Sequence, residues 1–163
     1  MNDECFECNG GDHEEFEYEM MEKFGWYAHF IIDEDEQVHS DMVNIHTHGL
    51  EESFDHIDMQ IVFPIHPKVA MNLFHILVDR IKNGETFKTG INYDDIIKDH
   101  GAKFILAYET NRQVMRLILP DQDGNINPGT FKDPRYEGQY QLNFGPLLPY
   151  SGAIDNIKGF EYN

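Results

Sequence analysis

Residues 59–84 constrain the fold more than any other stretch, because a strand-like apolar run there leads through a proline into an amphipathic helix. Residues 59–65 are apolar apart from Gln60, which marks a strand candidate. Pro67 can open a helix, since its missing N–H costs nothing in the first turn. Val69, Leu73, Ile76, Leu77 and Ile81 then mark one helical face, and Asn83-Gly84 closes it.

The flanking segments extend this pattern. Asp12 and Glu15 resemble a capping box, and Phe16, Met20 and Phe24 recur every four residues, so an amphipathic helix is predicted over 13–24, stopped by Gly25. Residues 26–32 alternate and are aromatic and β-branched, which predicts a strand. A polar turn at 33–37 separates it from a second strand at 42–48, ended by Gly49. Further on, 93–98 reads as a short helical turn, and 103–109 with 114–120 as a hairpin joined through Thr110-Asn111-Arg112. The expected fold class is α+β, with one mostly antiparallel sheet of about five strands, an N-terminal helix and one longer central helix.

Beyond residue 126 the texture changes. Pro128, Gly129, Pro134, Gly138, Gly145, Pro146, Pro149 and Gly152 leave room for one short strand near 139–144 in an otherwise irregular stretch. Tyr136, Tyr140, Phe144, Tyr150 and Phe160 predict that this stretch packs on the domain or on a second subunit. The expected organisation is an α+β domain over 1–126 and an aromatic C-terminal extension over 127–163 folded onto it.

Charge narrows the function classes. Thirty acids stand against 12 Lys and Arg, a net charge of −18. Such a surface repels nucleic acid and anionic membranes, and suits a dispersed protein or one that meets a basic protein partner. With 40% apolar residues the chain has material for a core. No apolar run approaches the roughly 20 residues of a membrane span, and Met1-Asn2-Asp3-Glu4-Cys5 lacks the basic and apolar regions of a signal peptide. A cytoplasmic protein, as monomer or homo-oligomer, is expected.

Two cysteines form a Cys5-x-x-Cys8 pair, too few for a disulfide framework. Thiolates at this spacing can grip one Zn²⁺, and tetrahedral zinc then needs two more ligands. His13 follows closely, while His46 and His48 lie two apart on a strand candidate and so share a face. Cys5, Cys8, His13, His46 and His48 are therefore the candidate metal ligands. A thioredoxin-like dithiol would need a strand before it, and none precedes Cys5. His29 reads as a satisfied strand histidine and His39 as an exposed one, while His56 and Asp58 could join a site near Thr47. Asp121-x-Asp123-Gly124-Asn125 hints at a calcium loop, but Thr130 stands where the closing Glu belongs, so a turn explains it better. No phosphate-binding loop, dinucleotide fingerprint or nucleophile elbow is present.

These residues occur in a familiar order. Cys5-x-x-Cys8, Phe24-Gly25-Trp26, Thr47-His48-Gly49-Leu50-Glu51, Met59-Gln60-Ile61-Val62-Phe63, Val78-x-x-Ile81-x-x-Gly84 and Leu117-x-Leu119-x-Asp121-x-x-Gly124 follow one another. The series resembles the bacterial family of unknown function DUF4262. The resemblance implies an α+β domain whose characteristic feature is the Thr47-Gly49-Leu50 turn, and no activity. His46 and His48 depart from the family pattern, which has a Tyr and a small apolar residue there, whereas the cysteine pair belongs to it.

Two function classes follow. One is an acidic interaction module with a structural zinc site that docks a basic partner; Trp26, Thr47, Gly49 and His56 are the candidate binding residues, of which His56 and the pocket near Thr47 also belong to the second class. The other is a small metal-dependent enzyme or sensor using His46 and His48. An enzyme predicts histidines converging on a pocket, and a module predicts histidines pointing apart.

Overall fold

The protein, as a computed structural model, is described over residues 13–32, 43–109, 112–140 and 143–144. In chain order its elements are α1 (His13–Phe24), β1 (Tyr27–Ile32), β2 (Val43–His48), α2 (Leu50–Phe54), β3 (Met59–Phe63), α3 (Pro67–Lys82), β4 (Asn92–Ile97), β5 (His100–Glu109), β6 (Arg112–Ile118), α4 (Pro134–Glu137), a 3-10 turn (Gly138–Tyr140) and β7 (Asn143–Phe144). The strands form one sheet in the order β1-β2-β3-β6-β5-β4, with β7 added beside β5. Neighbours are antiparallel except β3 with β6 and β5 with β7. The fold is α+β, with a six-strand path where about five strands were expected, and with both expected helices.

The core lies between α3 and one face of the sheet. Pro67 occupies the first turn of α3, and the His66 ring accepts the Lys68 N–H at 3.1 Å, so local capping starts the helix where the proline pattern places it. Leu73, Phe74, Leu77 and Val78 are fully buried and join Phe30, Ile45, Ile61, Phe63, Phe104 and Leu117 from the sheet. Burying each such side chain contributes about 1.5–3 kcal/mol, so the α3–sheet contact is a large stabilising term for the domain.

Three local readings change. Residues 93–98, expected as a helical turn, form strand β4. Its pairing with β5 is irregular between Tyr93 and Ile97, and Ile96 and Ile97 are both buried, so a bulge turns two successive side chains inward and mimics helical spacing. Helix α2, which was not expected, follows directly on Gly49. The strand expected at 139–144 is a 3-10 turn followed by the two-residue β7. The Asp121 carboxylate accepts from the N–H groups of Asp123 and Asn125 and from Asn125 Nδ2, which makes this segment a turn.

The opposite face of the sheet is polar. His29, His46, Gln60 and Arg116 stand in register across β1, β2, β3 and β6. His46, Gln60 and Arg116 are at most 2% exposed. Near Arg116 the chain after residue 130 packs down. Arg116 Nη1 donates to the Gln139 carbonyl at 2.8 Å, the Gln139 amide bridges both backbone groups of Leu119, and the Tyr136 ring lies 4.7 Å from that of Phe63. Tyr150 and Phe160 lie outside the described residues. Among those residues no helix is long and apolar enough to cross a membrane.

Candidate metal centre

Strand alternation puts Tyr27 and His29 on one face of β1, and Asn44, His46 and His48 on the same face of β2. The antiparallel register sets His29 opposite His46 and Tyr27 opposite His48. Ring centroids are 4.6 Å apart for His29–His48, 5.0 Å for His46–His48 and 5.6 Å for His29–His46. One ring nitrogen from each of the three lies within 4.8 Å of the others. Two carboxylates flank the group. Glu17 of α1 holds His29 Nε2 at 2.6 Å and accepts from Tyr27 Oη at 3.2 Å. Glu109 at the end of β5 lies 3.1 Å from His46 Nε2 and accepts from Arg112 Nε at 3.2 Å.

The electrostatics favour ligand-ready rings. Burial, helped by His48, Arg112 and His29, holds His46 well below the usual histidine range. Burial, with Arg112 and His29, also brings His48 down to about 4. Both rings are therefore neutral at pH 7, the form that binds metal. Burial and Glu17 push the Tyr27 hydroxyl up, so it stays protonated. Among the described residues, His48 Nε2 is buried without a hydrogen-bond partner. Buried polar atoms without partners are rare and mark places where something else binds.

The structure brings His46 and His48 together and adds His29, which the sequence presented as a satisfied strand histidine. Cys5, Cys8 and His39 lie outside the described residues, and His13 is the first residue of α1. Trp26 is buried, with its ring 5.0 Å from that of His75. His56 stands apart from the three histidines in its bonding. Its Nδ1 lies 2.8 Å from the Ile57 carbonyl and its Nε2 takes the Phe87 N–H at 3.1 Å, so both nitrogens are spent on backbone.

Thr47 and Gly49 build the turn beside the site. Thr47 Oγ1 donates to Asp58 at 2.8 Å and accepts the Met59 N–H at 2.9 Å. Asp58 also accepts from the Leu50 N–H and from Arg112 Nη1, and Arg112 Nη2 reaches the Thr47 carbonyl at 2.6 Å. Burial nevertheless raises the Asp58 carboxyl above its ordinary value. Arg112 thus ties Glu109 beside His46 to a cleft of about 310 Å³ lined by Gly49, Glu51, Glu52, Asp58 and Arg112. Glu17, Glu109 and Arg112 carried no sequence signal, because their roles come from pairing between distant segments.

The family model described as Domain of unknown function (DUF4262) matches residues 20–107, more than half of the chain. The chain belongs to this family. The matched DUF4262 segment holds His29, His46, His48 and the Thr47-Gly49 turn, and it begins after Cys5 and Cys8. Comparison with curated proteins and with solved structures gives no match.

Proposed function

We propose that this DUF4262 protein binds a divalent transition metal, with zinc the first candidate, through His29, His46 and His48. The reading rests on the convergence of three imidazole nitrogens within 4.8 Å on one face of two paired strands. Two of these rings are neutral, and one has a buried nitrogen without a partner. Imidazole suits Zn, Cu, Fe and Ni, and three histidines leave a coordination position open. Zinc–nitrogen bonds of about 2.0–2.1 Å require the rings to close by roughly an ångström, within reach of side-chain rotation.

Elemental analysis of the purified protein, repeated on His48→Ala and Cys5→Ser, tests this reading. One equivalent of zinc, lost in His48→Ala and kept in Cys5→Ser, is the expected result. Zinc lost in Cys5→Ser and kept in His48→Ala would move the site to the front-end cysteines and overturn the reading.

An acidic interaction module is the second reading. Its support is the net charge of −18 together with the Glu51 and Glu52 rim of the cleft at Gly49. A basic peptide that binds wild type and Glu51→Gln/Glu52→Gln equally would remove that support.

A further inference from the structure

The hydrogen atoms of the polar row can be placed by elimination, starting from a group with no freedom. Arg116 Nε donates to Gln60 at 2.8 Å, and a guanidinium has donors only. The atom it meets is therefore the amide oxygen, Oε1. The other Gln60 amide atom is then the nitrogen, a donor, and it lies 3.0 Å from Asn44. Asn44 must present its oxygen there. The same oxygen lies 3.3 Å from His46 Nδ1, a contact that is a hydrogen bond only when that nitrogen carries the hydrogen. In a neutral imidazole the second nitrogen is then a bare acceptor.

That bare nitrogen, Nε2, faces Glu109 Oε1 at 3.1 Å. Arg112 Nε, which donates to the same carboxylate oxygen at 3.2 Å, is the cation that lets two acceptors stand this close in the metal-free protein. Arg116, Gln60 and Asn44 are each at most 1% exposed, so water does not compete along the chain of bonds.

We infer that Arg116, Gln60 and Asn44 are positioning residues that fix the His46 hydrogen on Nδ1 and so present Nε2 to the metal. This inference rests on the metal reading above. The arrangement is that of a ligating histidine held by a hydrogen-bonded partner on its far nitrogen, and losing such partners costs about 10–100-fold in metal affinity. His46, Gln60 and Arg116 stand in register across β2, β3 and β6, and Asn44 lies two residues before His46 on the same face of β2, so the sheet itself holds these groups beside the ligand.

Gln60→Glu reverses the chain. A carboxylate still accepts from Arg116 but cannot donate to Asn44, so the Asn44 amide turns over, donates to His46 Nδ1 and moves the ring hydrogen to Nε2. Asn44→Asp, by contrast, keeps an acceptor against both neighbours. The experiment is nitrogen-15 NMR of the imidazole rings in the full chain freed of metal by chelator, at neutral pH, followed by zinc titration. Wild type and Asn44→Asp are expected to show the Nδ1–H tautomer of His46 and tight zinc binding. Gln60→Glu is expected to show Nε2–H and a 10–100-fold weaker affinity. A wild-type protein that binds zinc while its His46 is Nε2–H or doubly protonated overturns the inference and leaves the metal reading standing. Wild type in the Nδ1–H form that takes up no zinc overturns the metal reading itself, and the ligand role with it. The wild-type spectrum decides the tautomer even if a variant fails to fold.

Discussion

His29 stands directly opposite His46 on the neighbouring antiparallel strand, with the two rings 5.6 Å apart and nearly perpendicular. The pair joins two segments separated by the stretch at 33–42. Since both rings serve one ion in the proposed site, their contributions to binding should not add. His29→Ala and His46→Ala should each abolish most zinc affinity, and the double variant should be little worse than either alone. Calorimetric titration of the three proteins checks this, and additive losses would mean the rings do not share an ion.

Acid should weaken the metal-free fold through the same rings. His48 falls to about 4 in the folded protein and His46 lies well below its ordinary value, whereas unfolded histidines titrate near 6.5. Between those values the unfolded chain binds more protons than the folded one, so stability declines as pH falls from about 6.5 toward 4. Acid also relieves the self-repulsion of a chain with a net charge of −18, so the comparison must be differential. Melting curves of His48→Asn and wild type in chelator should diverge over this window, with the variant less acid-sensitive. Parallel curves would show that His48 is not buried in its neutral form.

Gly49 should tolerate no side chain. Its φ is +100°, and an added Cβ would meet Met21 Sδ at 2.5 Å and the Gly25 carbonyl at 2.8 Å. Gly84 has a similar φ of +102° with nothing within 4 Å. Gly84→Ala therefore carries backbone strain alone, about 1–3 kcal/mol, and Gly49→Ala should cost at least ~1 kcal/mol more from the clash. Urea unfolding of both variants measures the difference. Equal losses would mean that α1 is not seated on this turn.

Thr47→Val removes a hydroxyl bonded on both sides. It leaves the Met59 N–H without its acceptor and withdraws a donor from the buried Asp58 carboxylate. Unmet buried groups cost about 1–3 kcal/mol each, so a loss of ~2–4 kcal/mol is expected, with Thr47→Ser largely restoring stability. A Val variant as stable as wild type would show that water or another group replaces the hydroxyl.

Much of this fold could be read from local pattern. The α3 helix, the strands β1, β2 and β3 and the β5–β6 hairpin are legible because periodicity and capping act over a few residues, as with Pro67 opening α3 and Gly84 closing it. The shared face of His46 and His48 follows from strand alternation alone. The bulged β4 escaped the same reasoning, because its two inward isoleucines answer to β5 and not to their own neighbours. His29 could be seen as a strand residue, but its place opposite His46 depends on the β1–β2 register, which no local spacing encodes. The same holds for Glu17, Glu109 and Arg112, drawn from α1, β5 and β6 to one end of the sheet. Sequence alone thus determined which side chains share a face on the regular strands. Tertiary structure decided which strands lie side by side, because backbone pairing and core packing against α3 set the register, and the register brings the third histidine and its carboxylates to the other two.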